Sequence, residues 1–263
     1  MLLHQISVEL KRYFNTPNSL NLLVLTIVII PTISVFLVID GYYYQQPLDL
    51  FQKVISLIIP LLFPALVVAI YLPLFLQEQK NNFITYTRIR IPLETYIISK
   101  GIINALITGL SVFLMVFLTF IFTVYIEPNI GFVDYSSNTI ITKHIQSDVT
   151  FTQLLIYGQF TYGFFYSLWV TLNAILYTSI SYVLLLILKS KFIALAIPFL
   201  FYHIFNFILG LLGFERFSPI STIFPFNLQK QPIWTAFVPF TILVIILLIL
   251  IFIANTDREK WVE

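Results

Sequence analysis

Six stretches of the chain run without a charged side chain: Asn21 to Ile39, Val54 to Gln77, Gly101 to Ile126, Leu154 to Leu188, Phe192 to Phe214 and Gln231 to Thr256. Each is long enough for the roughly 17 to 25 apolar residues with which an α-helix crosses a bilayer. The fourth is too long for one crossing and too short for two with a turn. Its first part, LLIYGQFTYGFFYS, is rich in Tyr and Gly, and Leu168 to Leu188 is the better apolar core. Tyrosine suits the headgroup level, so this part is expected as an interfacial approach. The pattern predicts an all-α membrane protein in one transmembrane domain, 1–263, with crossings near 21–39, 54–77, 97–126, 166–188, 192–214 and 233–255.

Before the first crossing, Leu2, Leu3, Ile6, Leu10, Tyr13 and Phe14 fall on one helical stripe, with Gln5, Glu9, Lys11 and Arg12 outside it. Residues 1–16 therefore read as an N-terminal helix lying in the membrane interface. Pro17 ends it, and Asn18 or Ser19 can cap the next helix. ERFSPISTIFPFNLQKQP, between the fifth and sixth crossings, is apolar for a loop and is expected to be semi-buried at the outer face. Lys189-Ser190-Lys191 reads as a tight turn between antiparallel neighbours.

Composition strengthens the membrane reading: 59% of residues are hydrophobic and only 10% charged, against about a quarter charged in soluble domains. With the N-terminus inside, ten Lys and Arg fall in inner loops and four outside, while the acidic residues divide six and six. That asymmetry in basic residues alone sets the expected topology: multi-pass in the cell membrane with both termini cytoplasmic. A net charge of +2, spread over loops, does not point to nucleic acid. Cysteine is absent, which removes disulfides, thiolate metal sites and a cysteine nucleophile. No removable signal peptide is expected at the N-terminus.

One polar segment stands out. QEQKNNFITYTRIRIPLETYIISK, residues 77 to 100, gathers Lys80, Arg88, Arg90 and Lys100 between two apolar runs. Asn81 or Asn82 can cap a short helix from Phe83, and Pro92 disfavours helical geometry at Ile91. The cross-piece 82–91 would carry Arg88 and Arg90 toward the cytosol and present Phe83, Tyr86 and Ile89. Aromatic residues with Arg are the usual anchors of protein interfaces.

The amphipathic first helix, the break before the first crossing, the segment Glu78 to Lys100 with RIRIPLETYIISK and the apolar outer segment resemble the permease of an ABC-2 type exporter. The resemblance implies that 82–91 is a cytosolic coupling helix docking on a separate ATP-hydrolysing subunit, with re-entrant helices before the last crossing. Glu78, Arg88, Arg90, Tyr96 and Lys100 match the motif's recurrent positions, while Asn81-Asn82 stands where the family often carries Gly-Thr.

No G-x-x-x-x-G-K-[ST] loop occurs, so this chain is not expected to be an enzyme. ATP and magnesium would belong to the partner, with no cofactor here. His4, His144 and His203 lack zinc-ligand spacing. Within the crossings, Tyr202, His203 and Asn206, and Asn173 with Tyr177, read either as helix-to-helix hydrogen bonds or, with Tyr162 and Tyr166, as a substrate path. The expected function is the permease subunit of an ATP-driven exporter of an amphipathic or lipid-like cargo, with a peptide as first choice. Its partners would be an ATPase, a second identical or related permease, and the bilayer. The rival readings are a secondary transporter or channel without an ATPase, or a membrane-embedded enzyme. Within the ABC-2 class, lipid, glycan or drug export are the other cargo choices.

Overall fold

Prolines set where several helices begin. The computed structural model describes residues 2–39, 44–81, 91–133, 135, 150–226 and 230–256. α1 is Leu2–Phe14. α2, Pro17–Ile39, starts on Pro17 after extended Thr16. α3, Pro47–Leu57, starts on Pro47, with Gln46 and Asp49 forming a capping box. α4, Ile59–Lys80, carries Pro60 in its first turn. In each case the ring's missing N–H falls where the helix has no acceptor for it.

Two prolines farther along a helix have another effect. In α2 the turn Leu25–Ile29 widens to a π-helix, and the N–H of Ile30 bonds the carbonyl of Leu25, immediately before Pro31. In α5, Leu93–Ile130, the turn Phe122–Ile126 does the same before Pro128. Pro31 thus marks a π turn, one of the known ways a helix absorbs a broken ladder. Pro64 and Pro73 lie inside α4.

A 3₁₀ turn, Thr152–Tyr157, leads through Gly158, at φ +102°, into α6, Gln159–Ile187. α7 is Lys191–Leu211, α8 is Pro219–Ile223 and α9 is Trp234–Thr256. Among the described residues there is no strand, only an isolated bridge between Tyr44 and Tyr135. Six helices, α2, α4, α5, α6, α7 and α9, are long and apolar enough to cross a membrane.

Two expected boundaries are corrected. The second crossing begins at Ile59 and not near residue 54, because 47–57 forms the separate amphipathic helix α3, buried through Leu48, Phe51 and Ile55. The fourth begins at Gln159 and not at residue 166: the Tyr-rich stretch is already helical, with Tyr162 and Tyr166 fully buried.

α6 is the axis of the bundle, packing against α5, α4, α7 and α9. Its most apolar window is 78% buried, against 17% for α7 and 11% for α9, so the last two turn most of their surface outward. Close approach of α5 and α6 depends on glycine. A Cβ on Gly163 would stand 2.3 Å from the Phe120 ring, and one on Gly109 would stand 2.9 Å from Ile175. Thr178 adds a hydrogen bond of 2.9 Å to Asn104 across the same pair.

Candidate functional site

At the end of the bundle that carries α1, four charged side chains from three helices meet. Lys100, two turns into α5, donates to Glu9 of α1 and lies 2.7 Å from the carboxylate of Glu78, near the end of α4. Arg12 of α1 reaches Glu78 at 2.9 Å, and the Tyr96 hydroxyl donates to the same carboxylate at 2.6 Å. Gln5 donates to Glu9 at 3.1 Å. The side chains of Lys100, Glu78 and Glu9 are 0%, 2% and 4% exposed, and that of Arg12 is 36% exposed.

Helical spacing explains the arrangement. Gln5, Glu9 and Tyr13 are four apart and form the buried face of α1. Tyr96 and Lys100 are four apart on α5, and the ammonium sits 5.3 Å from the Tyr96 ring centroid. Tyr13 completes the contact by donating to the carbonyl of Ile70 at 3.0 Å and stacking on Tyr71. Burial raises its phenol pKa, so the ring stays neutral. Two carboxylates and two cations cancel. An ion taken out of water alone costs several kcal/mol, and each of these has an opposite charge in hydrogen-bonding contact.

The cluster brackets the cross-piece. Glu78 precedes it and Tyr96 and Lys100 follow it, while Phe83, Tyr86, Arg88 and Arg90 lie outside the described residues. Glu78, Tyr96 and Lys100 were expected to serve contact with an ATPase. They are buried and bonded to one another. Gln5 and Glu9 add to the reading of α1: its apolar stripe was expected in the membrane interface, and Leu3 is 82% exposed, while Gln5 and Glu9, with Tyr13, form the face that packs on the bundle. The available signal was the four-residue spacing of Gln5 and Glu9 on a helix that otherwise offers apolar residues.

The second set of candidates is brought together differently. Tyr166 donates to the carbonyl of Ile223 at 3.1 Å, and Trp169 to that of Thr222 at 2.8 Å, fastening α8 against α6. Tyr162 stacks on Tyr166, and Tyr177 and Tyr202 meet edge to face, both against Phe63 of α4. All four tyrosines are fully buried, so in this arrangement they are a packed aromatic block joining helices and not an open path. Asn173 bonds back to the carbonyl of Trp169 on its own helix, at 2.9 Å. His203 lies 3.2 Å from the carbonyl of Leu61, and Asn206 accepts from the N–H of Ile220 at 2.8 Å, which ties α7 to α4 and to α8.

The class of protein that these observations define is an all-helical, multi-pass chain with six potential membrane crossings. Comparison with protein-family models, with curated proteins and with solved structures finds no match.

Proposed function

We propose that this chain is the transmembrane permease subunit of an ATP-driven exporter of the ABC-2 type. One observation carries the reading: the buried cluster of Glu9, Arg12, Glu78 and Lys100 ties α1 to both ends of the segment that bears Arg88 and Arg90. A partner pressing on 82–91 would then move α1, α4 and α5 as one body. ATP is hydrolysed on that partner, and its closure is passed to the bundle as a helix displacement. α1 lies in the cytosolic interface with Leu3 and Phe14 toward lipid, and α8 is the semi-buried outer segment before the last crossing. A second permease, identical or related, covers part of the outward apolar surface of α7 and α9. The cargo is amphipathic or lipid-like, a peptide first, because few polar groups inside the membrane could replace the hydration shell of a small ion.

Reversing Arg88 and Arg90 to Glu tests this reading. Membrane insertion should be unchanged while co-purification with a co-expressed P-loop ATPase partner falls, or hydrolysis continues without transport. Normal association together with normal transport would refute it.

A further inference from the structure

α1 is held to the bundle by one side, and that side takes up all of its negative charge. Glu9, the one acidic residue of the helix, is 4% exposed and paired with Lys100, and Arg12 is engaged with Glu78. The side turned away from the bundle therefore carries no carboxylate. Lys11 is exposed there and forms no ion pair among the described residues. Helical spacing sets its surroundings: Leu3, Ile6, Leu10 and Phe14 recur every three or four residues as an apolar stripe, and Ser7, Lys11 and Asn15 recur every four beside it. The two stripes together line one open recess.

The chain keeps this surface level with the start of a membrane-length helix. Only Asn15 and Thr16 separate Phe14 from Pro17, where α2 begins. That link is fastened, because the Ser19 hydroxyl donates to the carbonyl of Tyr13 and the Thr16 hydroxyl to that of Arg12, at 2.9 Å. Tyr13 ties the same turn to Ile70 of α4. At the edge of a bilayer, an ammonium whose stem lies along apolar side chains reaches the lipid phosphates. A zwitterionic lipid brings its phosphate together with a cation, and this face has no carboxylate to receive one. A head of net negative charge is therefore the better match for Lys11.

We propose that the outward face of α1 binds an anionic phospholipid of the phosphatidylglycerol type, with its phosphate against the Lys11 ammonium and its acyl chains beside Leu10 and Phe14. The inference rests on α1 lying at the membrane surface and is independent of an ATPase partner. The two charged faces of α1 then have separate work: Glu9 and Arg12 fix the helix to α4 and α5, and Lys11 fixes it to the leaflet.

The test places a fluorescent reporter beside Lys11. The chain has no cysteine, so Ser7→Cys, exposed and one turn from Lys11, takes a single bimane label. The labelled full-length protein is reconstituted in phosphatidylcholine vesicles with a minor fraction of lipid carrying brominated acyl chains, either phosphatidylglycerol or phosphatidylcholine, and quenching is titrated against that fraction. Brominated phosphatidylglycerol should half-quench the label at a mole fraction about fivefold lower, the gain expected from one lysine at an anionic headgroup. Lys11→Gln should remove the difference and Lys11→Arg should keep it. Lys230→Gln, exposed at the other end of the bundle, should leave it unchanged. Raising the salt from about 0.1 M to about 1 M shortens the Debye length about threefold and should shrink the difference with Lys11 intact; this arm decides the matter if a Lys11 variant does not fold. Equal quenching by both lipids would overturn the proposal and leave α1 at the membrane surface. Quenching by neither would overturn that placement as well and assign the face to a protein partner. A preference that survives Lys11→Gln, or that salt does not change, would also overturn the proposal.

Discussion

Glu78 is the best-bonded residue of the ion cluster. Its two oxygens accept from Lys100, Arg12 and Tyr96, which leaves little of a buried carboxylate unsatisfied. Lys100 holds two carboxylates at once, so Lys100→Ala leaves Glu9 and Glu78 buried without the ammonium between them. Loss of one partner of a buried pair costs about 3–5 kcal/mol, and a lowered melting temperature in detergent would register it. Tyr96→Phe removes one hydrogen bond to a charged group, about 1.5–3 kcal/mol. Its effect should shrink in a Glu78→Gln background, because the two changes touch the same bond.

Asp49 offers a pH test. Burial raises its pKa more than bonds from the backbone of Gln46 and Gln45 lower it. A carboxyl raised on folding stabilises the fold below the ordinary carboxylate range, and that contribution is lost as pH rises through the raised value. Asp49→Asn keeps an acceptor for the N–H of Gln46 and removes the charge. The variant should melt at or above the wild type at pH 7, with the gap closing toward pH 4.

Among the elements, α1 is unusual in docking through polar side chains. Glu9→Ala should loosen it, seen as faster amide exchange across residues 5 to 13 with α6 unchanged; equal protection would show that Tyr13 and its contacts suffice. The α5–α6 pair is the opposite case, held by shape. Phe120 cannot easily yield to a Cβ at position 163, because its ring is also packed by Phe51 and Tyr125. Gly163→Ala should therefore cost about 1–3 kcal/mol by overpacking, measurable as reduced thermal stability.

At the scale of the whole molecule, the turn 188–190 and the ion cluster belong to the α1 end, since α6 ends where α5 begins. From the basic asymmetry we propose that this end faces the cytosol. Because native cysteine is absent, single cysteines at Ser190 and Ser137 report the orientation when intact cells meet an impermeant thiol reagent. Position 137 should be labelled and position 190 protected, and the reverse would invert the topology.

The number and approximate place of the apolar helices were legible from charge-free length alone, because no water satisfies backbone groups inside a bilayer and each run must form its own hydrogen bonds. Pro17 and the turn at 189–191 could be read locally for a similar reason, since the chemistry that ends a helix lies within one turn of its end. The start of α4 was misplaced because an apolar run does not say where Pro60 will divide it. The role of Glu9 was hidden as well: a polar residue on an amphipathic helix looks solvated until Lys100, 91 residues away, is brought against it. The four tyrosines illustrate the same limit. Their sequence left helix-to-helix contact and a path both open, and only the packing of α4, α7 and α8 around α6 shows them filling the interior in this arrangement. Crossing a membrane follows from the length and composition of one segment, whereas pairing charges and closing a core require partners that the order of the chain does not name.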